Sequence, residues 1–374
     1  MLGENKYNIA IAAGGSGGHI FPGIAIAQAL KASNKVEKII FIGRKEGLGR
    51  KIIPHYGFPL YNINTSGLVG KNLFAKLKGG WQMLIGLKES LKLLQQEEID
   101  LVVGTGGYVS APVALAATCL RIPLVLHEQN AIPGKANQTL SHLAKCICAS
   151  YASSLPYFPK RKCTLTGNPI RKDILSVKRP RISASPHPRL QVLVLGGSQG
   201  ARVINEAICD AWFYLKSHHI NIYFIHQTGE KDFTRVKSLY EERGIPGEPR
   251  AFIKDMADAY SQADMVISRA GATTLAEITT LGLPSILIPY PWATGHQWYN
   301  AETMAKAGAS IVIPQEVLSG QRLAEVLINL IQDKKRLQQM GEAAQKLGKP
   351  QAAHHIADIC IMLLEEKRRA TTMA

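Results

Sequence analysis

The chain has 374 residues, 46% of them hydrophobic, with 44 Lys and Arg against 28 Asp and Glu for a formal net charge of +16. That composition excludes a disordered chain and provides for two separate cores, while no apolar run reaches the roughly 18 residues of a membrane-spanning helix. The six cysteines form no C-x-x-C pair, so free and mostly buried thiols are expected, with no disulfide framework and no metal site.

A positive field of this size favours polyanions: nucleic acid, anionic lipid or a phosphorylated substrate. Nucleic acid fits worst, because no aromatics interleave with the basic residues and no recognisable binding module is present. Part of the excess is local. Between residues 160 and 189 nine Lys and Arg stand against Asp173 alone.

In chain order, "MLGENKYNIAIAA" lacks the basic flank and cleavage site of a signal peptide and reads as a first strand, so the chain is expected to stay in the cytoplasm. The run "IAIAAGGSGGHIFPGIAIAQAL" (residues 9–30) then joins that strand to four glycines, His19 and an apolar helical pattern whose first turn suits Pro22. Glycines admit positive φ and let amides approach an anion, and a helix start offers unpaired N–H groups and a positive dipole end. The glycines do not fit G-x-G-x-x-G, because Gly15 and Gly17 would require glycine at Ile20. Nor do they fit the P-loop, which would need Lys and Ser or Thr at Ile24 and Ala25. The plain alternative is a tight strand-to-helix turn with no ligand.

A second strand, "KIIFIG", leads into Arg44 where an NAD-binding fold prefers an acid, which weakens a dehydrogenase reading and leaves it only NADP. In "KNLFAKLKGGWQMLIGLK" (residues 71–88), Leu73, Leu77, Trp81, Leu84 and Ile85 fall on one helical face beside Phe74. Lys71, Lys76, Lys78 and Lys88 surround it, and Gly79 and Gly80 stand as potential breakers. Two readings fit: a helix packed on the first domain, or an interfacial patch for anionic lipid. "IDLVVG" opens a second glycine turn, Gly104, Gly106 and Gly107, ahead of a helix near Pro112, and the strands "IPLVLH" and "KCICAS" follow.

After the Pro-rich basic stretch "SVKRPRISASPHPR" the pattern restarts with "LQVLVLGG", "NIYFIHQ", "DMVIS", "LPSILIP" and "ASIVIP". A third glycine turn, Gly196, Gly197, Ser198 and Gly200, follows the first of these. The fold class is therefore α/β, with two facing Rossmann-like, doubly wound domains. Their expected limits are 1–168 for the N-terminal domain, 169–190 for a basic linker region and 191–349 for the C-terminal domain. A last helix at about 350–374 is expected to pack back on the first. All three turns sit at carboxyl ends of strands, where open sheets bind ligands, and a shared cleft would hold two anionic ligands or one long one.

Taken in order, "GGSGGHIFPG", "GTGGYVSAPV", "HEQN", "GNPIR", "GGSQGA" and "SRAGATTLAEITTLGLPSILIPYPWATGHQWYNA" closely resemble the MurG family, over residues 9 to about 301. The resemblance implies a GT-B glycosyltransferase fold and inverting transfer of GlcNAc from UDP-GlcNAc to the C4 hydroxyl of MurNAc in undecaprenyl-pyrophosphoryl-MurNAc-pentapeptide, the lipid I to lipid II step of peptidoglycan synthesis. It implies no cofactor or bound metal, no nucleic-acid partner, and a peripheral position on the anionic cytoplasmic face of the cell membrane.

Carried onto this chain, it places Ser16, Gly17, Gly18, Asn130, Arg171, Ser198, Ile253, Gln297 and the run Ala272, Thr273, Thr274, Leu275, Ala276 and Glu277 in the UDP-GlcNAc site. Ile253 would lie beside uracil, Gln297 on the sugar and Glu277 on the ribose. Gly15, Gly106, Gly107 and Tyr108 are the positions for the acceptor pyrophosphate, and Leu73, Phe74, Leu77, Trp81 and Leu84 for the membrane patch. Ser16 stands where threonine is common, which preserves the hydroxyl. The long basic linker is not accounted for by the resemblance.

Single displacement needs a base for the acceptor hydroxyl and fixed donors for the leaving diphosphate. His19 is the residue chosen as base, since an imidazole of ordinary pKa near 6.5 is largely neutral at cytoplasmic pH; its bland alternative is a phosphate ligand or helix cap. His127, His226 and His296 are weaker rivals. For the diphosphate, the amides of residues 271–274 and Ser198 are expected to act with Arg171 or Arg269, between which sequence does not choose. A sugar-nucleotide epimerase would keep the UDP site without an acceptor loop, and a noncatalytic binding protein would not need His19.

Overall fold

A computed structural model describes residues 6–65, 73–178, 189–291 and 295–372, with only the backbone described at 73–80 and 371–372. The chain divides into two compact units: Met1–Arg171 with Lys349–Ala374, and Lys172–Gly348. Residues 179–188 of the basic stretch lie outside the described residues.

The first unit is built on seven parallel strands: β1 (Tyr7–Ala12), β2 (Val36–Gly43), β3 (Leu60–Asn62), β4 (Leu101–Gly104), β5 (Leu124–Glu128), β6 (Cys146–Ala149) and β7 (Cys163–Leu165). Their order across the sheet is β3-β2-β1-β4-β5-β6-β7. Both faces are covered, so the central strands are apolar throughout. The period of two sorts them. Ile9, Ile11, Leu101 and Val103 pack under the helices Gly17–Ala32 and Ala352–Thr372, while Ala10, Ala12, Ile40, Ile42 and Val102 face Leu73–Gln96 and Ser110–Cys119. The C-terminal helix joins the first face through Ala353, Ile356, Ala357, Cys360 and Leu364.

The second unit repeats the plan with β8 (Leu190–Leu195), β9 (Ile222–Gln227), β10 (Gly247–Arg250), β11 (Met265–Ser268), β12 (Ser285–Leu287) and β13 (Ser310–Val312), all parallel, in the order β10-β9-β8-β11-β12-β13. Its core gathers Val192, Val194, Ile267 and Ile286 beneath the helices Arg202–Ser217 and Gly320–Gln332. The fold class expected from the alternating pattern is thus the observed one.

The local differences have physical reasons. The first helix begins at Gly17, five residues before Pro22, so Gly17 and Gly18 form its first turn. Pro22 lacks the N–H that would reach back to the Gly18 carbonyl, so the helix forgoes that one bond after its first turn. The helix Leu73–Gln96 runs unbroken through Gly79 and Gly80. Its later turns are anchored by Leu93 and Leu94 in the core, and tertiary packing outweighs the roughly 1 kcal/mol that each glycine costs. β3, β7 and β10 are short edge or near-edge strands without the alternation that marks a strand. All six cysteines are unpaired, but Cys119 is exposed at a helix end and only Cys148, Cys209 and Cys360 are buried.

Candidate functional site

In each sheet the strand order reverses beside the first strand. β1 connects to β2 on one side and pairs on the other with β4, which the chain reaches only after β3, and β8 stands in the same way between β9 and β11. A crevice opens at the carboxyl ends of such strands. In the first unit the chain fills that position with Gly14 to Gly18 after β1 and with Thr105 to Tyr108 after β4.

Those two turns meet at His19. Its imidazole Nδ1 lies 2.9 Å from the carbonyl oxygen of Thr105, and the Thr105 hydroxyl donates to the His19 carbonyl, also at 2.9 Å. An amide carbonyl only accepts, so Nδ1 carries a proton, and in the neutral ring the lone pair lies on Nε2. Gly106, at φ +104°, makes room for the ring, because a Cβ there would sit 2.9 Å from two imidazole atoms. A Cβ on Gly107 would lie 2.5 Å from the Gly14 carbonyl, so the two turns touch backbone to backbone. Gly15 and Ser16 are exposed beside them, and so is Tyr108, whose carbonyl accepts from the Thr65 hydroxyl.

The "HEQN" segment forms the neighbouring wall. The Glu128 carboxylate accepts from the Asn130 backbone N–H, the Asn130 amide, the Gly134 N–H and the Asn137 amide, which pins Asn130 at the end of β5. His127 is fully buried, and desolvation lowers its pKa to about 3, so it is a neutral structural imidazole. Gln129, between them, donates to the Thr105 carbonyl at 2.6 Å and approaches His127 Nδ1 at 3.0 Å. Sequence reasoning passed over Thr105 and Gln129, although both lie within motifs that were recognised. Their roles rest on contacts between separate strand ends. Arg171 belongs to this unit, where it is buried, donates to the Tyr56 hydroxyl at 2.8 Å and stacks over the Phe21 ring at 4.3 Å.

In the second unit, the glycine turn after β8 approaches the end of β9 so closely that a Cβ on Gly200, at φ +75°, would meet the Thr228 carbonyl oxygen at 2.0 Å. Gln227 spans from that turn to the next segment: its amide donates to the Gly197 carbonyl and its oxygen accepts the Ile253 N–H, both at 2.9 Å. Ser198, on the same turn, is half-buried. After β11, Gly271 is extended and leads directly into the helix Ala272–Thr280, whose first turn has no side-chain cap. Its N–H groups and dipole end are suited to an anion. Thr273 and Thr274 flank this end, Leu275 packs inward, and Glu277 is buried one turn on, where it accepts from the Tyr260 hydroxyl at 2.9 Å. Gln297 accepts the Tyr290 N–H. Arg269 points its guanidinium at the Ile288 and Pro289 carbonyls and at Gln315, and burial depresses its pKa.

His226 is buried like His127, with its pKa lowered to about 3 by desolvation, and lies between Tyr240 and Asn205. Trp81 and Leu84 are exposed on the helix Leu73–Gln96 at 67% and 59%. The side chains of Leu73, Phe74 and Leu77 are outside the described residues. Among the described residues no helix is long and apolar enough to cross a membrane.

Comparison with known proteins agrees with this architecture along the chain. Residues 9–149 match the glycosyltransferase family 28 N-terminal domain and residues 191–356 its C-terminal domain. A protein of Geobacter sulfurreducens named UDP-N-acetylglucosamine--N-acetylmuramyl-(pentapeptide) pyrophosphoryl-undecaprenol N-acetylglucosamine transferase is 44% identical over 94% of this chain and 97% of its own length. Its namesake in Myxococcus xanthus is 38% identical over 95% of this chain and 93% of its own. The crystal structure of Acinetobacter baumannii MurG superposes with a TM-score of 0.76 at 29% identity, covering 95% of this chain and 99% of that one. A UDP-GlcNAc 2-epimerase from Neisseria meningitidis, at 14% identity and a TM-score of 0.67 over 95% of this chain and all of its own, shares the fold alone. With both halves matched in order, the chain belongs to glycosyltransferase family 28.

Proposed function

We propose that this protein transfers GlcNAc from UDP-GlcNAc, with inversion, to the C4 hydroxyl of MurNAc in undecaprenyl-pyrophosphoryl-MurNAc-pentapeptide. The observation that carries the chemistry is the 2.9 Å contact of His19 Nδ1 with the Thr105 carbonyl, which in the neutral ring leaves the lone pair on Nε2, beside two glycine turns. As the acceptor O4 forms its bond to the anomeric carbon, the hydroxyl proton passes to Nε2. The bond from that carbon to the diphosphate oxygen breaks, and UDP leaves with the electron pair.

The leaving charge goes to the N–H groups at the start of Ala272–Thr280 and to the turn at Ser198, fixed dipoles that need no reorganisation. Ile253 serves the uracil, Glu277 the ribose hydroxyls, and Gln297 and Asn130 the sugar. Arg171 supports the first unit through Tyr56 and Phe21, and Ser16 with Gly15, Gly17, Gly18, Gly106, Gly107 and Tyr108 forms the anion-accepting edge around His19. Trp81 and Leu84 supply the exposed part of a membrane-facing patch, which a lipid-linked acceptor requires and which the net positive charge supports.

The deciding experiment supplies purified protein with UDP-GlcNAc and a short-chain analogue of the lipid acceptor, and measures UDP release and the disaccharide product. UDP release without disaccharide, or interconversion of the donor without acceptor, would overturn this reading.

A further inference from the structure

The Thr105–Gly106 peptide is gripped on both edges. Its carbonyl accepts from Gln129 Nε2 at 2.6 Å as well as from His19, and its N–H, on Gly106, donates to the Ser110 hydroxyl at 3.1 Å. The grip matters because of the residue that follows. Gly106 has no Cβ and sits at φ +104°, and a glycine takes φ of either sign, so no side chain at this residue opposes a turnover of the peptide before it. Turned over, it would present the Gly106 N–H to His19. Nδ1 would then have to accept, the proton would move to Nε2, and the lone pair would be lost from the side that meets the acceptor hydroxyl.

Gln129 is built to prevent this. It is 2% exposed, and the neighbours of Nε2 are the carbonyls of Thr105 and His127 and the Nδ1 of His127, all able to accept, which assigns the NH2 group to that end. His127 can accept at Nδ1 because its Nε2 faces the Gly167 carbonyl. The two hydrogens of the amide are therefore committed, one to a buried imidazole and one to the Thr105 carbonyl.

We infer that Gln129 is a positioning residue for this reaction, which holds the Thr105 carbonyl toward His19 and so sets the imidazole in its Nδ1–H form. The inference deepens the reading of His19 as the base and rests on it for its kinetic consequence, but the tautomer can be measured independently of activity.

The test uses the full chain labelled with 15N, at a pH where the imidazole is neutral, and reads the His19 ring nitrogens in long-range proton–nitrogen spectra, assigned by their loss in His19→Gln. Wild-type protein is expected to show a protonated Nδ1 and an unprotonated Nε2. A wild-type signal of the opposite form would overturn the inference without any variant at Gln129. In Gln129→Met, which keeps the volume and removes the donor, the His19 signals are expected to move toward the Nε2–H form. The same variant should lose roughly 10- to 100-fold in kcat, the scale on which outer partners that orient a ligating histidine act, with the KM for UDP-GlcNAc changed less than about twofold. Unchanged ring signals in that variant would overturn the assignment, as would a KM rise with kcat preserved. A His19→Ala protein that kept its turnover would retire the base reading alone, leaving the tautomer to be decided by the spectra.

Discussion

Thr105 holds His19 at two points: its carbonyl receives the imidazole Nδ1–H and its hydroxyl binds the His19 main-chain carbonyl, each at 2.9 Å. The base proposed for the reaction, in the first turn of its helix, is thereby fixed by a residue in the turn after β4, 86 positions along the chain. Removing the ring should abolish the proton transfer and spare the donor site. His19→Ala is expected to lower kcat by roughly 100-fold or more, the usual scale of general acid-base catalysis, with UDP-GlcNAc affinity retained. Lost donor affinity with full turnover at saturation would instead make His19 a binding group.

Gly106 and Gly15 both have positive φ, at +104° and +91°, yet alanine should affect them differently. At Gly106 the new methyl would strike the His19 ring, while at Gly15 it would meet nothing within 4 Å. Both variants should lose about 1 kcal/mol of stability to backbone strain. At saturating acceptor only Gly106→Ala should also lose most of its kcat, while Gly15→Ala, on the anion-accepting edge, should act on the KM for the acceptor. Equal kcat in the two variants, measured with melting temperatures as the control, would show that the contact at Gly106 does not constrain the imidazole.

Glu277 has two tasks in the proposed site, since it is assigned the ribose and already accepts from buried Tyr260. Glu277→Ala is expected to raise the KM for UDP-GlcNAc far more than it lowers kcat, because ribose contacts are made equally in ground and transition states. It should also cost roughly 1 to 3 kcal/mol of stability, because the buried Tyr260 hydroxyl loses its carboxylate acceptor. Tyr260→Phe removes that hydroxyl and should change the KM little. If 2'-deoxy and 3'-deoxy donors bound the wild type as well as UDP-GlcNAc does, the ribose assignment would fail.

Both buried histidines predict sensitivity to acid. His127 and His226 stay neutral in the folded chain, with pKa values lowered to about 3, against an unfolded value near 6.5. Below pH 6.5 the unfolded state takes up protons that the folded state refuses. Their contribution is therefore intact above pH 6.5 and lost as pH falls toward 3, at up to about 1.4 kcal/mol per pH unit for each. Urea unfolding at pH 7 and pH 5 should show the wild type losing more stability across that interval than His226→Gln does. Parallel losses would mean that His226 does not carry the effect.

The exposed pair Trp81 and Leu84 makes the membrane proposal testable on described side chains. Replacing both by Ser should weaken sedimentation with anionic vesicles while leaving activity on a short-chain acceptor nearly unchanged, and wild-type binding should weaken with salt. Unaltered sedimentation of the double variant would place the anchor elsewhere.

Much of the fold was legible because its signals are local. Residue-by-residue apolarity marked the central strands, and glycine clusters marked where they turn into helices, since a backbone that must bend tightly or admit positive φ declares itself in one short stretch. What escaped was decided by the third dimension. β3, β7 and β10 exist because a neighbouring strand pairs with them, not because their own residues alternate. Gly79 and Gly80 do not end their helix, since the turns beyond them are held in the core.

The site divides along the same line. Sequence alone brought out the glycine turns, His19 and the motif containing Gln129, all as neighbours in the chain. That Thr105 receives the His19 proton, that Gln129 grips the same carbonyl and that Glu128 is occupied with Asn130 and Asn137 could be settled only when the ends of β1, β4 and β5 came together. A hydrogen bond needs its partners at about 2.9 Å with the right atoms facing, and only packing of the two sheet faces determines that distance.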